Sequence, residues 1–141
     1  MIVLDTTAVS ALMQPGLHPT AIAWLDSQPT EQMHMTTITV MEIWAGIERL
    51  PASARRRRLE TAFDSVIHDT LRNRILEFDF DAAWSAATLM AERLRAGRPI
   101  DTRDTQIAGI ALSRGAAIAT RNVRHFADLT VEVIDPWTAP T

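Results

Sequence analysis

The chain has 141 residues, a formal net charge of −3, 47% hydrophobic and 22% charged residues, a composition that suits one packed core and excludes the polar signature of disorder. It has no cysteine, which removes disulfides, zinc–thiolate sites and thiol nucleophiles and fits a reducing compartment. All 14 basic residues are arginine, so mechanisms needing a lysine amine are closed to it, and the acidic balance confines any nucleic-acid contact to a local patch.

The opening Met1-Ile2-Val3-Leu4-Asp5 has neither a basic n-region nor a signal-peptide apolar run, and no later stretch approaches the roughly 20 apolar residues of a membrane span. The expectation is a cytoplasmic, non-membrane protein of one domain over residues 1–141. No internal repeat, linker or low-complexity tract interrupts it.

Ile2-Val3-Leu4 is a short branched apolar run that predicts a buried strand, with Asp5 at its carboxyl end. Helices are predicted around Ala8 to Met13 and Thr20 to Ser27, the second carrying Ile22, Trp24 and Leu25 as its apolar positions. Met33 to Thr36 is a second strand. From Thr39, Val40, Ile43, Trp44 and Ile47 recur at i, i+3, i+4 and i+7, an amphipathic helix ending near Pro51.

Ala54 to Ile67 is the next helix, with Arg55 to Arg58 in its first turns, and Ile75 to Phe78 a third strand. Ala82 to Ala96 is an Ala-rich helix with Trp84, Leu89 and Leu94, stopped by Gly97. Thr102 to Arg114 is a helix stopped by Gly115. Ala116 to Ala119 and Val131 to Ile134 complete the strands. Strands separated by helical crossovers predict a three-layer α/β/α sandwich with a mostly parallel sheet.

In such sheets ligands bind beyond the carboxyl ends of the strands, where Asp5 and the Thr120-Arg121-Asn122 step fall. Asp5 taken alone is equally a helix N-cap. Asp104 shares a helix face with Ile107, Ala108 and Ala111, so its carboxylate either meets a cation or is a first-turn acid favoured by the helix dipole. Asp101, opening the same helix, reads as its N-cap. Periodicity places Glu42 opposite the apolar face of its helix, in solvent, with Gly46 one turn later leaving room beside it. The histidines His18, His34, His68 and His125 show no paired metal-ligand spacing.

Five stretches carry a family resemblance: Ile2 to Thr6; Thr37 to Ile43 with Gly46-Ile47; Pro99-Ile100-Asp101 with Asp104 to Ala108; Ala119 to Phe126; and Asp135-Pro136-Trp137. Each is short, but in this order and spacing the chain resembles the PIN-domain ribonucleases, specifically the FitB-like branch of the VapC toxins of type II toxin-antitoxin pairs. The resemblance implies that Asp5, Glu42 and Asp104 are catalytic, metal-binding acids, with Thr6 and Thr120 as small hydroxyl positions beside them, and the N-cap reading of Asp101 leaves it at most a supporting residue behind them. A fourth acidic position of many members is Asn122 here, which brings a carbonyl but no charge and points to one metal ion rather than two.

It further implies an Mg²⁺-dependent endoribonuclease, with Mn²⁺ as the other hard cation suited to carboxylate ligands, an RNA substrate, a cognate VapB/FitA-like antitoxin and a homodimer. Arg121, Arg124 and His125 flank the expected active edge and are candidate RNA contacts. Two alternatives separate clearly. Receiver-like and dehalogenase-like phosphotransfer folds also place an Asp after strand one, but need a lysine this chain lacks. A non-catalytic PIN-like module binding nucleic acid or a partner would account for Asn122 but leave three acids without a task.

Overall fold

The computed structural model describes all residues from Met1 to Thr141. The strands are β1 (Ile2–Leu4), β2 (Met33–Thr36), β3 (Ile75–Leu76), β4 (Ala117–Ala119) and β5 (Val133–Ile134). They form one sheet in the order β3-β2-β1-β4-β5, and every pairing is parallel. The helices are α1 (Thr6–Met13), α2 (Pro19–Ser27), α3 (Thr37–Glu48), α4 (Ala54–Ser65), α5 (Phe80–Arg95) and α6 (Thr102–Arg114). The expected α/β/α architecture is present, with two differences in extent. The third and fifth strands shorten to two residues each, as outermost strands with a partner on one side only.

Strand alternation divides the core. Leu4, Met33, Met35 and Ala119 pack with Val9, Leu25, Ile43, Ile47 and Phe63 under α1 to α4. Val3 and Ile118, one residue out of phase, pack with Leu89, Ile107, Ile110 and Phe126 under α5 and α6. A period of two on β1 and β4 thus feeds both layers.

Helices α5 and α6 approach closely because Gly109 faces Ala82 and Ala86. A Cβ on Gly109 would lie 2.6 Å from the Ala82 carbonyl oxygen and 2.7 Å from the Ala86 Cβ. Gly115 then ends α6 at φ 61°, a left-handed conformation that glycine adopts without strain.

Two amphipathic assignments change. On α5 the inward positions are Ala82, Ala86, Leu89 and Arg93, while Trp84 is 69% and Leu94 72% exposed. On α3 the buried residues are Ile38, Thr39, Ile43 and Ile47, and Trp44 faces out. Apolar size marks the inward face poorly: on α5 the close approach of α6 selects the small Ala82 and Ala86 over Trp84.

The chain runs from β1 to β2 on one side and crosses back to place β4 on the other side of β1. That reversal puts the carboxyl ends of β1 and β4 side by side, with Leu4 paired to Ala119. The residues that follow these two strands are Asp5 and Thr120.

Candidate active site

Asp5 is the N-cap of α1, and its side chain accepts from the Ala8 N–H at 3.1 Å. It also accepts from Thr7 Oγ1 at 2.6 Å and from Thr120 Oγ1 at 2.6 Å. The capping role and a place in the site therefore coexist. The carboxylate is 2% exposed and has no arginine or histidine partner. Burial pushes its pKa above the ordinary carboxylate value, and the charge of Asp104 adds to the rise, while the three hydrogen bonds oppose it.

Glu42 is not in solvent as α3 periodicity indicated. Its side chain is 18% exposed and ion-pairs with Arg103 at 3.6 Å. It accepts from Thr6 Oγ1 at 2.8 Å, and that hydroxyl is also 3.1 Å from Thr39 Oγ1. The helix has two buried faces, one on the sheet and one on the first turn of α1. A single-stripe periodicity does not register the second.

Asp104 lies in the first turn of α6, 20% exposed, and its Oδ2 is 2.6 Å from His125 Nδ1. Asp101 is the exposed N-cap of α6, accepting from the Arg103 N–H at 2.8 Å, and an ion pair with Arg103 holds its pKa below the usual range. Asn122 is exposed, and its N–H donates to Thr120 Oγ1 at 2.9 Å. Arg124 and His125 line a surface recess with Arg98 and Asp101. A cleft of about 300 Å³ lined by Thr6, Glu42 and Gly46 lies along α1 and α3.

At the carboxyl edge of the sheet Thr120 thus holds Asp5 and Thr6 holds Glu42, and Asp104 lies near enough to Asp5 to act on its charge. No three carboxylate or imidazole groups converge closely enough to enclose an ion. The donor chemistry nonetheless suits a hard cation. Mg²⁺ is commonly held by one or two carboxylates with water completing its shell, and the Asp5 carboxylate, whose charge burial and, to a lesser degree, Asp104 disfavour, has only neutral hydrogen-bond donors around it.

A family model of the PIN domain matches residues 2–131. The chain belongs to the PIN-domain family. This PIN-domain chain is 35% identical over 137 residues to VapC ribonuclease Y4jK of Sinorhizobium fredii, a match covering 97% of this chain and 98% of the relative. Toxin FitB of Neisseria gonorrhoeae is 31% identical over 137 residues, covering 97% and 99%. The solved structure of FitAB bound to an IR36 DNA fragment superposes with a TM-score of 0.88 at 30% identity, over 100% of this chain and 99% of that one. DNA-bound VapBC from Salmonella typhimurium gives 0.81 at 28% identity, over 96% and 97%. Within the PIN-domain family the chain groups with the VapC ribonucleases of toxin-antitoxin pairs. No helix of the PIN-domain chain is long and apolar enough to cross a membrane.

Sequence reasoning missed three groups that shape this PIN-domain site. Arg103 bridges Asp101 and Glu42. Thr7 links Asp5 to the loop after β4, because its Oγ1 also accepts from the Arg121 N–H at 3.0 Å. Arg93, 3% exposed, donates to both Asp128 oxygens at 2.9 Å, to Thr105 Oγ1 at 2.9 Å and to the His125 carbonyl at 2.6 Å. It ties the His125 loop to α5 and α6. Its signal was available: Arg93 continues the Ala82, Ala86, Leu89 spacing.

Proposed function

We propose that this PIN-domain chain is a metal-dependent endoribonuclease, the toxin of a type II toxin-antitoxin pair, with residues 1–141 as one catalytic domain. The observation that carries the proposal is the buried Asp5 carboxylate at the point where strand order reverses, hydrogen-bonded by hydroxyls and an N–H and lacking a positive partner. In this reading Asp5 and Asp104, with Glu42, hold one Mg²⁺ or Mn²⁺, which when bound supplies charge to the phosphodiester and activates water.

The protein's own groups do the rest. Thr7 and Thr120 fix both oxygens of Asp5, and Thr6 fixes Glu42. His125 sets the direction of Asp104, and Arg93 holds the loop that carries His125. Asn122 adds no charge, which supports one ion rather than two. Asp101, occupied by Arg103 and by capping, has a structural task.

The chain's likeness to a VapC ribonuclease and to toxin FitB supports the activity, and its likeness to the toxin chains of FitAB and VapBC complexes supports an antitoxin partner. A homodimer and a cytoplasmic setting follow the same family expectation. Cleavage of RNA by wild type, Asp5→Asn and Asp104→Asn, each with Mg²⁺ and with EDTA, tests the proposal. Mg²⁺-dependent cleavage lost in both variants is expected. Cleavage that ignores the metal or either substitution overturns it.

A further inference from the structure

The C-terminal segment places an aromatic ring beside the active edge that the proposed chemistry does not use. The Arg121 guanidinium lies over the Trp137 ring, 5.1 Å from its centroid. The Trp137 ring is itself fixed: its Nε1–H donates to His18 Nδ1 at 3.3 Å, and the His18 ring meets it edge-on at 87° and 5.6 Å. Its backbone N–H donates to Asp135 Oδ1 at 2.9 Å.

Arg121 is tied to the carboxylate site as well. Its N–H donates to Thr7 Oγ1, which donates to Asp5, and the preceding residue, Thr120, donates to Asp5 directly. Arg121 is therefore held at both ends, its backbone beside Asp5 and its guanidinium on an aromatic face.

Arg56, Arg93, Arg103 and Arg114 each ion-pair with a carboxylate. In the loop after β4, Arg121 and Arg124 form no such pair, and of the two only Arg121 is pinned on an aromatic ring. The Arg121 guanidinium donates to no side chain or carbonyl; only its backbone N–H does, so its N–H fork is free, the group that grips a phosphate through two oxygens. The setting demands such a group, because a chain of net charge −3 with acids at its active edge otherwise repels a polyanion.

We infer that Arg121, pinned on Trp137, clamps a backbone phosphate of single-stranded RNA next to the phosphodiester that is cut. The clamp rests on the nuclease proposal above. It recognises phosphate and not base identity, since a guanidinium fork that meets backbone oxygens reads no base edge.

The test is fluorescence anisotropy of a short labelled single-stranded RNA with protein in an Asp104→Asn background, over a series of salt concentrations. Arg121→Gln is expected to weaken binding about tenfold or more and to make the slope of log K against log salt shallower by about 0.7, one single-strand phosphate contact. Arg121→Lys restores the slope but not the full affinity. Trp137→Leu keeps the slope while weakening binding about three- to tenfold, because the unpinned side chain must be ordered on binding.

Unchanged slope and affinity in Arg121→Gln overturn the clamp, and a lowered Tm with an unchanged slope overturns it in favour of a structural staple. An otherwise wild-type protein that neither binds nor cuts RNA removes the nuclease proposal itself. One that does both but is indifferent to Arg121 removes the clamp alone.

Discussion

Thr120 Oγ1 donates to Asp5 Oδ2 at 2.6 Å across 115 positions of sequence. The bond exists because β4 lies beside β1, and it holds one oxygen of a buried carboxylate. Thr120→Val keeps the shape and removes the donor. The loss of a hydrogen bond to a charged group is expected to destabilise by about 1.5–3 kcal/mol and to lower metal affinity about 10- to 100-fold. Thr120→Ser restores both. Denaturant unfolding and Mg²⁺ titration of cleavage check the pair.

Asp5 itself opposes folding when ionised. Its folded pKa is raised by burial and by Asp104, so the unfolded chain binds fewer protons than the native one and stability falls as pH rises from the ordinary carboxylate range through the raised value. Asp5→Asn removes this loss. It is expected to melt higher than wild type at neutral pH and equally or lower in acid, while cleavage falls at least about 100-fold. Melting curves across pH, set beside single-turnover rates, decide it.

The proposed cation at Asp5 would offset the cost of its buried charge and bind the native state alone. Mg²⁺ at about 100 times its dissociation constant is expected to add about 2.7 kcal/mol, read as a rise in Tm that EDTA reverses. Asp104→Asn is expected to shrink the rise sharply. An equal rise in wild type and variant would place the ion elsewhere.

Asp128 behaves oppositely to Asp5. Its ion pair with buried Arg93 holds its pKa below the ordinary value, so its contribution is present above the unfolded pKa and is lost as pH falls through the lower folded one. Asp128→Asn is expected to flatten the acid limb of the stability curve. Arg93→Ala leaves Thr105 and the His125 carbonyl without their donor and is expected to cost about 1–3 kcal/mol, with cleavage reduced through the loosened His125 loop. Urea unfolding at several pH values tests both.

Gly109 has no room for a methyl group, since the nearest obstacle is the backbone of α5. Gly109→Ala is expected to destabilise by about 1–3 kcal/mol despite the better helix propensity of alanine. A thermal midpoint at or above wild type would show that α5 and α6 part more readily than their contact implies.

Much of the site was legible along the chain. Asp5, Asp101 and Gly115 mark the ends of α1 and α6 as their residue types and positions indicate, because a cap satisfies backbone groups within three residues of itself. Asp104 stood out by sharing the stripe of Ile107, Ala108 and Ala111. Glu42 did not, because α3 is gripped on two sides. Arg93 was obscured by its charge, and Trp84 and Leu94 misled by their size.

Composition, periodicity and caps dictated the alternation of strands and helices, the parallel sheet and the carboxyl edge where chemistry belongs, since these depend on residues a few positions apart. The meetings that make the site came from elsewhere: Thr120 with Asp5, Thr6 with Glu42, His125 with Asp104, and Arg121 with Trp137. Each joins residues at least 16 positions apart in sequence. Strand order β3-β2-β1-β4-β5 and the packing of helices on both faces bring them together. No local period encodes that order, because the pairing of β1 with β4 is set by the burial of the whole sheet between its helices.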